Sequence, residues 1–154
     1  MVVQHGLRQH YFTDYVLRIR FEVQMKVFEG RVIHAGCAHG QALVSAEPLS
    51  LLGGIDPETG RVVDPRHPLA GQDVGGRVLI FPTGKGSTVG SYVLYQLARN
   101  GHAPAAIINA RCEAIVAVGA IISRIPTVDE IDITKIANGA WVSIEEGGRV
   151  VVAE

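Results

Sequence analysis

An α/β domain with a partly parallel sheet is the fold class this sequence predicts, and three observations carry the prediction. Short apolar, strand-like runs alternate with helix-like segments between Arg77 and Val128. Glycine, proline and asparagine punctuate the junctions between them. The chain then ends on two alternating runs around Glu145-Glu-Gly-Gly148, which is a C-terminal β-hairpin signal. Strand, helix, strand, helix, strand implies right-handed crossovers between parallel neighbours.

The elements follow in order. A strand pattern begins at Lys26, and Val27, Arg31, Val32 and Ile33 fall within one strand that ends at His34-Ala-Gly. Ala42-Leu-Val-Ser is a second short strand. Residues 46–74 read as a long structured loop: Pro48 and Gly53-Gly54 open it, and Val62-Val63 is a brief strand or arm. Asp56-Pro-Glu-Thr-Gly60 and Asp64-Pro-Arg-His-Pro68 are turns, because proline fixes φ and aspartate caps its own backbone. Loops of that length inside a compact domain are usually functional. Arg77-Val-Leu-Ile-Phe81 is a buried strand. A helix runs from Ser91 to Arg99, with Val93, Leu94, Leu97 and Ala98 on one face and Asn100-Gly101 as its stop. Ala105–Asn109 is a second buried strand. Ala114–Ile122 is apolar throughout and is assigned as a short helix, and Ile125-Pro-Thr-Val is a third core strand. Trp141-Val-Ser-Ile and Arg149-Val-Val-Val form the hairpin.

Residues 1–24 differ from the rest. They carry arginines, histidines and aromatic residues, with no apolar core that ends in a small-residue cleavage site. They are expected to be an N-terminal extension: either Met25 is the true start, or they form a terminal helix that packs on a partner. Residues 25–154 are the expected domain.

Composition narrows the function. The chain has 154 residues, 47% apolar and 19% charged, enough for one self-sufficient core. Fourteen basic and fifteen acidic residues nearly cancel, which argues against a nucleic-acid partner. No apolar run reaches membrane-spanning length, so no membrane association is expected. Two cysteines, Cys37 and Cys112, exclude a disulfide framework. Both are expected to be buried, inert and reduced, as in a cytoplasmic protein. His34 and His39 flank Cys37 but lack a second ligand pair at zinc spacing. Two thiolates cannot hold a cubane iron–sulfur cluster.

The sharpest feature is Gly84-Lys-Gly-Ser-Thr-Val-Gly90, between a buried strand and a helix start. Backbone N–H groups can converge on an anion there, and the helix dipole favours negative charge. It is no Walker A loop: Leu79 stands where the first glycine belongs, and Gly86 follows Lys85. It is no dinucleotide fingerprint either, since Gly90 comes one residue late. The plainer reading is a glycine-rich turn with Ser87 as a cap. The chemical reading is that donors around Ser87 or Thr88 stabilise an alkoxide, with Lys85 supplying positive charge and Arg77 a weaker candidate. His67, in its rigid turn, is either a substrate-orienting or a structural histidine.

Five segments carry a resemblance: Ala46-Glu-Pro-Leu-Ser50, Gly53-Gly-Ile-Asp-Pro-Glu-Thr-Gly60, Asp64-Pro-Arg-His-Pro-Leu69, Phe81-Pro-Thr-Gly-Lys-Gly-Ser-Thr-Val-Gly-Ser91 and Ala103-Pro-Ala-Ala-Ile107. In this order they resemble the small subunit of the aconitase X family, above all its archaeal branch, over about residues 25–154. The resemblance implies a swivelling β/β/α domain like the fourth domain of aconitase. It implies a heterodimer whose large subunit, and not this chain, carries a [4Fe–4S] cluster. The implied activity is dehydration of (R)-5-phosphomevalonate to trans-anhydromevalonate 5-phosphate in the archaeal mevalonate pathway. The proton-accepting serine falls on Ser87. Gly84, Lys85 and Gly86 would shape the loop toward substrate, the Thr88 and Val89 amides would favour the alkoxide, and His67 is a weaker substrate-side candidate. Two other readings stand beside it: a subunit of a cis-3-hydroxy-L-proline dehydratase, or a non-catalytic module that binds a phosphorylated metabolite.

Overall fold

Residues 24–154 are described by a computed structural model, and the statements below concern those residues. The expected N-terminal extension lies outside them, apart from Gln24, whose backbone exchanges hydrogen bonds of 3.1 and 3.0 Å with Glu154.

Eight strands make one mixed sheet: β1 (Met25–Glu29), β2 (Arg31–His34), β3 (Ala38–Val44), β5 (Val78–Phe81), β7 (Ala106–Asn109), β8 (Thr127–Asp129), β9 (Trp141–Ile144) and β10 (Arg149–Ala153). Two short strands, β4 (Leu49–Ser50) and β6 (Gly84–Lys85), pair with each other in parallel. The strand order of the large sheet is β1-β10-β9-β3-β5-β7-β8-β2. Its centre, β3-β5-β7-β8, is parallel, as the alternating strand and helix pattern requires. The hairpin β9-β10 and its neighbours are antiparallel.

One expectation is corrected at Gly30. The alternation from Val27 to Ile33 reads as a single strand, but β1 and β2 lie at opposite ends of the strand order with only Gly30 between them. The sheet must therefore curl until its two ends meet. Gly30 N–H donates to the Gly148 carbonyl at 3.0 Å. A Cβ on Gly30 would run into Val128 Cγ1 and sit 2.6 Å from the Asp129 carbonyl oxygen. Only glycine allows that approach.

The curl produces three layers. In β5, Val78 and Ile80 join Val142, Ile144, Val150 and Val152 in one buried cluster. Leu79 and Phe81 alternate to the other face and join Val93, Leu94 and Leu97. Every residue of β5 and β7 is buried, as expected for strands covered on both faces. The arrangement is β/β/α: an antiparallel wing, a parallel centre, and two helices.

Those helices are α1 (Ser91–Arg99) and α2 (Ala114–Ser123). The first keeps its expected limits and leaves through Asn100 to Gly101, which sits at φ +77°. The second begins at Glu113, whose carboxylate accepts from the amides of Ile115 and Val116, each at 2.8 Å. The helices meet at Gly119, where a Cβ would lie 2.7 Å from Leu94 Cδ1 and 2.9 Å from the Ser91 carbonyl oxygen.

The loop over 46–74 is ordered because it supplies Leu49, Leu51, Ile55, Val62, Leu69 and Val74 to the helix-side core. Bridges Ile55–Val62 and Arg61–Asp73 close its turns. Among the described residues no helix is long and apolar enough to cross a membrane.

Candidate active site

The parallel strands send their carboxyl ends to one edge, where open α/β sheets place ligands. At that edge the chain leaves β5 through Pro82, forms β6, and reaches a short 3-10 turn (Thr88–Gly90) that runs directly into α1. Ser87 precedes this turn with extended backbone (φ −71°, ψ 142°), and its Oγ accepts the Val89 N–H at 3.2 Å. So Ser87 is a cap, as the plainer reading has it, and its hydroxyl is also exposed at a helix entrance. Lys85, Gly86, Thr88 and Val89 are exposed around it, while Gly84 and Gly90 are buried.

The loop is held firmly from below. Gly84 has no room for a Cβ, which would collide with Glu113 Oε1 and lie 2.7 Å from Val116 Cγ2. The loop therefore rests on the start of α2. Gly86 sits at φ +100°, in the left-handed region, and a Cβ there would lie 2.7 Å from Ser50 Oγ. Ser50 pairs with Lys85 across the β4-β6 ladder. A Cβ on Gly90 would touch Ile115 and Leu51 at 3.3 and 3.4 Å. Ser50 and Glu113 thus belong to the site. The sequence pattern could not point to them, because their roles arise from contacts distant in the chain.

His67 is 7% exposed. Its Nδ1 accepts the Leu69 N–H at 3.1 Å, which makes the ring an Nε2–H tautomer donating to the Pro48 carbonyl at 3.1 Å. Both ring nitrogens have backbone partners, the arrangement of the structural turn histidine. Arg77 donates from Nε and Nη2 to the Gln41 and Ala42 carbonyls, each at 3.3 Å, at the opposite end of β5 from Ser87.

The cysteines need correction. Cys37 is exposed and Cys112 half-buried, so neither is sealed in the core. Burial, with Asp129 and Glu113 nearby, pushes the Cys112 thiol up to about 12. That value leaves little thiolate at neutral pH. Asp129 is fully buried beside it and takes a bidentate pair from Arg31 at 2.9 and 2.7 Å and the Cys112 N–H at 2.8 Å. Burial alone would raise this carboxyl, but Arg31 and the amide outweigh it and hold it below its ordinary value.

A groove of about 500 Å³ crosses the same edge, lined by Val44, Ala46, Pro82, Ala110, Ile131 and Ile133 among others. Pro82 also opens the Ser87 loop.

A three-layer β/β/α domain that presents a capped serine from a rigid glycine loop at the carboxyl edge of its sheet has the form of a swivel domain. The family model of the aconitase X swivel domain matches residues 27–153, and the chain belongs to that family. Among curated relatives, the phosphomevalonate dehydratase small subunit of Methanosarcina acetivorans is 61% identical over 124 residues, covering 80% of this chain and 83% of that one. The phosphomevalonate dehydratase small subunit of Thermococcus kodakarensis is 51% identical over 127 residues, covering 82% of this chain and 96% of its own. The crystal structure of Thermococcus kodakaraensis aconitase X in its holo-form superposes with a TM-score of 0.82 at 50% identity, over 84% of this chain and 99% of that chain.

The described residues do not fit an iron–sulfur cluster. No three His, Cys, Asp or Glu side chains among them converge as metal ligands, and Cys37 and Cys112 offer two thiols at most.

Proposed function

We propose that this chain is the small subunit of a heterodimeric hydro-lyase that dehydrates (R)-5-phosphomevalonate to trans-anhydromevalonate 5-phosphate in the cytoplasm, with Ser87 as its proton acceptor. The names and 50–61% identities of the relatives support the substrate and the subunit role. Residues 25–154 are the working domain and residues 1–24 an extension. The [4Fe–4S] cluster belongs to the large subunit.

The observation that carries the assignment of Ser87 is its place: exposed, fixed by the Val89 amide, and at the entrance of α1. Removal of a proton from the carbon beside the substrate carboxylate leaves its electron pair to form the C=C bond as the neighbouring C–O bond breaks. The proton passes to Ser87 Oγ in its alkoxide form, giving the neutral hydroxyl, while the C–O electron pair leaves with the oxygen as hydroxide; return of the Ser87 proton to solvent completes the loss of one water. A serine hydroxyl is a weak acid, so the oxyanion needs donors already aimed at it. The Val89 N–H, the partial positive charge at the helix entrance and the Lys85 ammonium are what this chain offers. His67 serves by tying the Asp64–Leu69 turn to Pro48 within the 46–74 loop. Closure of the domain over the large subunit would exclude water from this edge.

The test is anaerobic co-purification with the large subunit, followed by assay of the complex on (R)-5-phosphomevalonate and on cis-3-hydroxy-L-proline. The reading predicts an equimolar, brown complex that turns over only the first. Turnover of the second alone would transfer the chain to a proline dehydratase. A colourless chain that binds phosphorylated metabolites by itself would make it a binding module.

A further inference from the structure

We propose that Asn109 is a positioning residue that fixes the base of the Ser87 loop, an inference that rests on the functional reading above. Three consecutive carbonyls lead out of β5 into the loop, and each is held, two of them from the end of β7 and the loop just after it and one from β4. Asn109 Nδ2 donates to Phe81 O at 2.9 Å. The Arg111 N–H donates to Pro82 O at 3.0 Å, and the Leu49 N–H to Thr83 O at 3.1 Å. The last two are backbone donors, present whatever side chains stand there. Asn109 is the one clamp made by a side chain, and hence the one that the amino-acid choice controls.

Its surroundings say the same. Asn109 ends β7 directly opposite Phe81 in the parallel ladder, and it is fully buried. Ile107, two positions earlier on the same face, packs into the helix-side core, so an apolar residue would suit position 109. Among the described residues Asn109 Oδ1 has no hydrogen-bond partner. A buried, unpaired amide oxygen is a cost to folding that leucine, of similar branched shape though larger, would not carry. What asparagine adds over leucine is the Nδ2 donor, and that donor is spent on the carbonyl where the loop begins.

A small misplacement of a reacting group is expensive: about 1 Å can cost on the order of 100-fold in rate. The substitutions that test this are Asn109→Leu and, should that chain fail to fold, Asn109→Thr, whose shorter side chain leaves the Phe81 carbonyl weakly held. Each is assembled with the large subunit. Melting temperature, kcat and KM on (R)-5-phosphomevalonate, and amide hydrogen exchange over residues 83–90 are measured beside wild type. The expected result for Asn109→Leu is a complex still folded at the assay temperature, loop exchange faster by about tenfold or more, and kcat lower by about 10- to 100-fold with KM within about threefold. Unchanged loop exchange with unchanged kcat overturns the inference. So does a loss of kcat matched by a general loss of stability, which would make Asn109 merely structural. Hydrogen exchange needs no substrate, so it decides the role of Asn109 even if the wild-type complex fails on this substrate and the functional reading falls.

Discussion

The Val89 amide donates to Ser87 Oγ across 3.2 Å, so the hydroxyl assigned to the proton is also the cap of the turn that opens α1. The two roles separate by substitution. Ser87→Ala removes both cap and base, and is expected to cost about 0.5–2 kcal/mol of stability. Ser87→Asn keeps a capping oxygen and is expected to melt within about 0.5 kcal/mol of wild type, yet to be as inactive as Ser87→Ala. Chemical denaturation of both variants, with activity measured in the complex, checks the separation.

Gly84→Ala drives a methyl group into Glu113 Oε1 and Val116. Either the loop lifts, or Glu113 leaves the amides of Ile115 and Val116. A loss of about 1–3 kcal/mol is expected, with activity falling further than stability explains, because the loop carries Ser87. Denaturant midpoints beside kcat give the comparison.

His67→Ala removes the tie between the Asp64–Leu69 turn and Pro48. It is expected to destabilise by about 1–3 kcal/mol while the folded complex keeps KM within about threefold. A large rise in KM at full stability would instead make His67 a substrate ligand.

Arg31 holds the buried Asp129 carboxyl below its ordinary value. A depressed carboxyl stabilises the fold above the unfolded value of about 3.9, and that contribution disappears as pH falls through the folded value. Arg31→Met strands the carboxylate, so the variant should melt well below wild type at pH 7. The gap should narrow as pH falls, first as the stranded carboxyl of the variant protonates and then as pH passes the depressed value in wild type. Melting curves across pH 3–8 test the sign.

Thiol chemistry should distinguish the two cysteines. Cys112 is pushed up to about 12 and half-buried, while Cys37 is exposed. At pH 8 a maleimide is expected to label Cys37 rapidly and Cys112 only after denaturation, as peptide mass spectrometry will show.

What the sequence reveals depends on how local each cause is. Helix α1 is legible to the residue, because its apolar face and the Asn100-Gly101 stop lie within the segment itself. Strands β5 and β7 are legible because strands covered on both faces must be continuously apolar. The break at Gly30 is not, since the alternation of Val27 to Ile33 runs straight through it. Only the approach of Val128 and Asp129, almost a hundred residues on, requires glycine there. The same holds at the site. The Ser87 loop announces itself by its glycines, but the reason for Gly84 is Glu113, the reason for Gly86 includes Ser50, and the clamp on Phe81 is Asn109. The exposure of Cys37 also escapes sequence reading, because a cysteine in a short loop carries no mark of the side it faces.

The central claim is that Ser87 takes the proton. Its most direct test is turnover of (R)-5-phosphomevalonate by the complex of this chain with its large subunit, wild type against Ser87→Ala, with assembly confirmed by gel filtration. The account predicts an intact complex whose kcat is lower by about 10²- to 10⁴-fold. An intact complex that keeps kcat within a few-fold of wild type would contradict it and move the proton to a group on the other subunit.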